Sequence, residues 1–208
     1  HPLAQITAEK LANHPNINRP TQKVALLPGS RKQEIQKKLP VMLSVSRYFP
    51  DHTFVVAAAP GLELSFYEPF LSAYPNVQMR QGHTYDILLD SDAALVTSGT
   101  ATLETALLGI PEAVCYKGNA ISYQIAKRLI KIPFISLVNL ILNKLVVREF
   151  IQDEMNEANL TQELKELLTN QERRSQMLED FQQLRTMLEA GGSASENAAR
   201  IIVRELAK

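Results

Sequence analysis

KVALLPGSR, residues 23–31, decides the fold. Apart from its first residue the run Lys23–Leu27 is apolar, and it stops at Pro28-Gly29. This reads as a buried strand feeding a tight turn. The pattern returns along the chain. TFVVAA at 53–58 ends at Pro60-Gly61, and AALV at 93–96 runs into Ser98-Gly99. Shorter strands are predicted at 77–79 and 113–116. Helix-like stretches separate them: 33–49, with Pro40 as a kink, then 62–74, a helical turn at 85–90, and 100–108, which Gly109 and Pro111 close. Strands alternating with helices at this spacing predict an α/β fold, a Rossmann-like parallel sheet with helices on both faces. The strands are too short and too uniformly apolar for an antiparallel sheet with one wet face.

Outside this block the pattern changes. Residues 1–22 are polar and hold Pro2, Pro15 and Pro20, which reads as a linker with at most one short helix. After residue 120 the chain is nearly all helix, with one candidate at 121–130. Asn159 and Gln162 form a capping box for a helix over 160–168, and Asn170 caps the next. There Met177, Phe181, Leu184 and Leu188 make one apolar stripe. Gly191-Gly192 break the chain, and Ser193 with Glu196 opens a last helix. The division is therefore 1–22 linker, 23–158 Rossmann-like domain and 159–208 C-terminal helices.

Composition narrows the function. The 208 residues carry 22 basic and 22 acidic side chains, without the basic excess of a nucleic-acid binder, so no nucleic-acid partner is expected. With 45% hydrophobic residues the chain has ample core material. One cysteine, Cys115, excludes an internal disulfide and reads as strand packing rather than as a nucleophile. Four histidines stand at no metal-ligand spacing, so neither metal nor cofactor is expected. The uncharged run 132–143 is shorter than the roughly 20 residues that span a bilayer. Its basic flanks suit a membrane surface or acyl chains, but Pro133 and Asn139 spoil an amphipathic face, which favours a core segment. No signal peptide is apparent, and the abrupt HPLAQ opening suggests a piece of a longer chain.

Two strand ends could carry chemistry, because ligands of open α/β sheets bind at strand C-termini. At the first, Gly29 permits close backbone approach, Ser30 adds a hydroxyl and Arg31 a planar donor fork suited to phosphate. The spacing is neither a Walker loop nor G-x-G-x-x-G. At the second, Ser98, Gly99, Thr100 and Ala101 open a helix whose amides and dipole favour a diphosphate. Glu104, one turn in, suits the two hydroxyls of a ribose. Taken singly, the first is equally a turn with a surface arginine, and the second an ordinary helix start. Together they outline a nucleoside-diphosphate site. The His83–Asp86 loop and the charges of Glu163, Lys165, Glu166, Glu172, Arg173 and Arg174 read as solvated surface.

LLPGSRKQEI, SGTATLETAL with Pro111, Tyr116-Lys117, YQIAKRLIK, Leu137-Val138-Asn139 and the Glu149…Gln152 pair, in this order, resemble the lipid-A-disaccharide synthase family. The resemblance runs from about residue 1 to about residue 205, departing where Arg148 and Val138 replace frequent prolines. It implies the donor-binding, C-terminal half of a two-Rossmann (GT-B) glycosyltransferase of lipid A biosynthesis in Gram-negative bacteria. The implied reaction moves 2,3-diacylglucosamine from UDP to 2,3-diacylglucosamine 1-phosphate, with inversion. By position, Gly29, Ser30 and Arg31 would meet the diphosphate, Ser98 to Ala101 would present backbone donors, and Glu104 would hold the ribose. The His83 loop would lie near the uracil. Asn139 matches a family position tied to activity, while Glu149 and Gln152 would line the cleft. The general base is expected in the N-terminal domain of the same enzyme. The family also implies a cytoplasmic enzyme, with peripheral contact at the inner membrane and a homodimer through the C-terminal helices as open options. Alternatives are another GT-B enzyme of UDP-N-acetylglucosamine (a peptidoglycan transferase or a 2-epimerase) or an inactive UDP-sugar-binding module.

Overall fold

The structure, a computed structural model, describes residues 2–12, 20–118 and 133–190. Six strands form one sheet in the order β3-β2-β1-β4-β5-β6, with every neighbouring pair parallel. They are β1 (Lys23–Leu27), β2 (Thr53–Ala58), β3 (Val77–Gln81), β4 (Ala93–Thr97), β5 (Glu112–Tyr116) and β6 (Glu149–Ile151). The helices are α1 (Pro2–Ala12), α2 (Lys32–Val45), α3 (Glu68–Leu71), α4 (Thr84–Leu89), α5 (Thr100–Leu107), α6 (Leu137–Leu142), α7 (Glu157–Thr169) and α8 (Gln171–Ala190).

Strands covered on both faces need apolar residues at successive positions. Val24 and Leu26 enter one core with Leu95, Leu39, Leu164 and Phe181. Ala25 and Leu27 enter the opposite core with Val96, Ile87 and Leu108. A two-residue period thus divides each strand between two helical layers. Pro40 does not end α2: it lies on the exposed face, where the carbonyl its missing N–H leaves unpaired can meet water. Gly109 stops α5 with φ +75°, a left-handed conformation that favours glycine.

Several expectations are corrected. The 62–74 helix is a 3₁₀ turn at Leu64–Phe66 and one helical turn at Glu68–Leu71, with the break at Tyr67, and Pro69 in the first turn of the second piece. β6 was not anticipated, whereas α6 falls within the 132–143 run read as a core segment, with Val138 and Asn139 buried. The helix expected over 160–168 begins at Glu157, because Asn156, not Asn159, accepts the capping bond (Asn159 N–H to Asn156 Oδ1, 2.9 Å). Asn170 does cap α8, accepting from the Arg173 N–H at 3.1 Å. Not all the α7–α8 charges are solvated. Glu163 is fully buried and paired with Arg173 and Arg148. Arg174 is half-buried and donates to the Asp92 and Leu167 carbonyls. The helices expected over 121–130 and after Ser193 lie outside the described residues.

Candidate functional site

The sheet order reverses between β1 and β4. Chain connections leave these two strands toward opposite sides, which opens a crevice at their C-terminal ends. β1 and β4 are paired, with Leu27 opposite Val96. The turns that follow, Pro28 to Arg31 and Ser98 to Thr100, therefore leave the sheet side by side, about 5 Å apart at the strand ends. The two loops singled out in the sequence face one crevice.

Each loop feeds a helix that starts without a side-chain cap: Arg31 at the start of α2 and Gly99 at the start of α5. First-turn amides of a helix have no partner within it, so two uncapped N-termini at one crevice are prepared for an anion. Gly29 has φ +111°, and a Cβ there would lie 2.8 Å from Glu34 Oε2. Both the turn and the carboxylate beneath it thus need glycine. Ser30 is exposed. The Arg31 side chain is 82% exposed, with one guanidinium nitrogen 3.0 Å from Glu34 Oε1.

In the second loop Ser98 departs from expectation. Its N–H is taken by the Cys115 carbonyl at 3.1 Å and its hydroxyl donates to the Ile135 carbonyl at 3.3 Å. Ser98 therefore anchors the turn, and its N–H and hydroxyl are both spent within the protein. Glu104 accepts a 2.8 Å hydrogen bond from the Tyr85 hydroxyl. Burial, with the Glu104 bond, pushes the Tyr85 phenol up to about 12, so it stays a donor through the physiological range. His83 is exposed and pairs with Asp86 at 3.2 Å.

Asn139 and Glu149 serve the architecture of the β6 side. Asn139 is fully buried. Its amide donates to Val147 O (2.7 Å) and Glu149 Oε1 (2.9 Å), and accepts from the Val146 and Val147 N–H groups (2.8 and 3.0 Å). Glu149 also accepts from the Ile135 and Ser136 N–H groups, each at 2.9 Å. Asn139 thus has no amide group left over for a ligand. Gln152 differs: its backbone is left-handed at φ +54°, and its buried amide nitrogen has no partner among the described residues. A cavity of about 610 Å³ lies at the other end of the sheet, lined by Gln22, Asp92, Pro111, Arg174, Phe181 and Arg185. Gln22, Asp92 and Pro111 immediately precede β1, β4 and β5, so this cavity is remote from the crevice.

A family model described as Lipid-A-disaccharide synthetase matches residues 1–204. The chain belongs to the lipid-A-disaccharide synthase family. Lipid-A-disaccharide synthase of Syntrophus aciditrophicus (strain SB) is 40% identical over 181 residues, covering 84% of this chain and 47% of the relative. That of Coxiella burnetii (strain CbuG_Q212) is 33% identical over 211 residues, covering 97% of this chain and 55% of the relative. The chain thus spans about half the length of the curated relatives it matches. Among solved structures, WaaG, a glycosyltransferase involved in lipopolysaccharide biosynthesis, superposes with a TM-score of 0.52 at 17% identity, over 96% of this chain and 50% of the other. TarM gives a TM-score of 0.58 at 11% identity, over 91% and 36%. These likenesses support the Rossmann-like unit of a GT-B architecture.

In this member of the lipid-A-disaccharide synthase family, sequence reasoning missed three residues around the crevice: Glu34, Lys38 and Tyr85. Glu34 and Lys38 carried a signal, since they lie three and seven residues after Arg31 on one helix face. Tyr85 lies in the His83–Asp86 loop that the resemblance places near the uracil, but its bond to Glu104, on a different element, left no local mark. Among the described residues no cluster of three or more His, Cys, Asp or Glu side chains could hold a metal ion, and no helix is long and apolar enough to cross a membrane.

Proposed function

We propose that this chain is the UDP-sugar-binding half of a lipid-A-disaccharide synthase. Its reaction would transfer 2,3-diacylglucosamine from UDP to the 6-hydroxyl of 2,3-diacylglucosamine 1-phosphate, with inversion. The observation that carries the reading is the crevice between β1 and β4, where Gly29, Arg31 and two uncapped helix starts converge, in a chain of that family. The diphosphate meets the Arg31 guanidinium and the amides of Gly99 to Ala101. Glu104, oriented by Tyr85, takes the ribose hydroxyls. UDP leaves with charge growing on its β-phosphate. An arginine and helix amides fixed in place stabilise that charge more than they stabilise the bound donor, which is the requirement for rate acceleration.

Asn139 holds the β6 side of the sheet together, and Gln152 offers an unspent amide just after β6. The acceptor's proton is removed by a group in the remaining half of the protein. The exposed Leu137 and Leu145 lie in the segment that also carries Lys144 and Arg148, paired with Asp180 and Glu163, and we assign that segment to acyl-chain or inner-membrane contact on the cytoplasmic side.

The test is UDP binding and turnover in the full-length protein. Arg31→Ala and Glu104→Ala should each weaken UDP binding, and the 208-residue chain should bind donor without turning it over. Unchanged UDP affinity in both variants would discard the site. Donor binding that ignores the acyl chains would favour a UDP-N-acetylglucosamine enzyme.

A further inference from the structure

Beneath the first loop lies a charged group that the diphosphate contacts do not use. Lys38 has only 3% of its side chain exposed, although it sits on α2 next to the crevice. A lysine is almost never buried without a partner. Among the described residues its carboxylate partner is Glu34, whose Oε2 lies 3.6 Å from Lys38 Nζ. The other oxygen of Glu34 receives the Arg31 guanidinium at 3.0 Å. One carboxylate thus bridges a buried cation and an exposed one.

Gly29 closes the arrangement. A Cβ at that position would meet Glu34 Oε2 at 2.8 Å and Lys38 Nζ at 3.7 Å, so the bridge occupies the space that glycine leaves empty. Two cations and one anion leave a net charge of one positive unit under the turn. An isolated surface arginine has many rotamers and loses that freedom on binding. Here one edge of the guanidinium is already held by Glu34, and its remaining donors have no partner among the described residues. Burial lowers the Lys38 pKa, an effect that Glu34 opposes.

We infer that Glu34 and Lys38 are positioning residues for Arg31: Lys38 fixes Glu34 beneath Gly29, and Glu34 presents the guanidinium to a diphosphate. The inference rests on the proposed UDP site and adds to it a preorganised charge. It acts on the diphosphate and not on the nucleoside. It also acts through Arg31, which separates it from a direct charge effect.

The experiment compares UDP with uridine in the full-length protein by calorimetry, in Glu34→Gln, Lys38→Met, Arg31→Ala and the two doubles with Arg31→Ala. Glu34→Gln is isosteric and guards against misfolding of the lysine variant. The expected result is UDP affinity about tenfold lower in each of the first two, as fits the loss of a charge-assisted bond that orients a ligand group. Uridine affinity stays unchanged, and neither substitution weakens binding further once Arg31 is alanine. On charge alone Glu34→Gln would tighten UDP binding, so the sign is diagnostic. Unchanged or tighter UDP binding, an equal loss for uridine, or losses that add to that of Arg31→Ala would overturn the inference. A normal UDP affinity in Arg31→Ala itself would instead remove the underlying diphosphate site, and the inference with it.

Discussion

Asn139→Asp separates an architectural asparagine from one that touches substrate. The substitution keeps size and shape. It retains an acceptor for the Val146 and Val147 N–H groups but removes both donated bonds, to Val147 O at 2.7 Å and Glu149 Oε1 at 2.9 Å. The bond to the Glu149 carboxylate is worth about 1.5–3 kcal/mol and that to the carbonyl about 1 kcal/mol. A second carboxylate then faces Glu149 in a fully buried position, so the total loss is about 4 kcal/mol. For a chain of this length that lowers Tm by roughly 10 °C. The two carboxyls relieve their repulsion by holding a proton, which raises a folded-state pKa above its unfolded value. Stability is then greatest at low pH and falls as pH rises, so the deficit is larger at pH 8 than at pH 5. Urea denaturation at the two pH values reads both effects, and UDP affinity of the folded fraction stays close to the parent's. A loss below about 1 kcal/mol together with abolished turnover would refute the reasoning, because the amide would then serve the substrate.

Glu112 is fully buried at the start of β5, neither oxygen has a hydrogen-bond partner among the described residues, and desolvation holds its carboxyl well above the usual range. Its contribution to stability is complete below the unfolded pKa of about 4.3 and is lost as pH rises toward the folded value. Glu112→Gln should flatten the decline in unfolding free energy between pH 5 and pH 8, and an unchanged slope would contradict the assignment. Glu163→Ala removes the buried partner of Arg173 and Arg148 and should cost about 3–5 kcal/mol in urea denaturation. Tyr85→Phe frees Glu104 from its 2.8 Å bond and should weaken UDP binding about threefold to tenfold. Because the phenol is pushed up to about 12, the parent's UDP affinity should show no break from Tyr85 between pH 7 and pH 10.

The sheet was legible because its strands announce themselves. Lys23–Leu27 and Thr53–Ala58 are short apolar runs cut off by Pro-Gly pairs, and both bounds are found as read. The two loops were legible for a related reason: a small-residue turn between strand and helix leaves a local mark. Features set by distant partners left no such mark. β6 has three residues and is defined by pairing with β5, which no periodicity reveals. Glu163 sits among charges that look like a solvated helix face, and only its docking beside Arg148 and Arg173 makes it buried. Asn139 read as a blemish in an apolar run, whereas it ties α6 to the backbone leading into β6. Glu34 and Lys38 share a helix face with Arg31, but their place beneath the turn depends on the room that Gly29 leaves for them.

UDP is expected to land in the crevice between β1 and β4, and this placement decides the rest. Hydrogen exchange of the backbone amides, with and without UDP, tests it most directly. The account predicts slowed exchange at residues 29–33 and 99–102, together with Glu104. Protection confined to the cavity around Asp92, Arg174 and Arg185 at the opposite end of the sheet would contradict it.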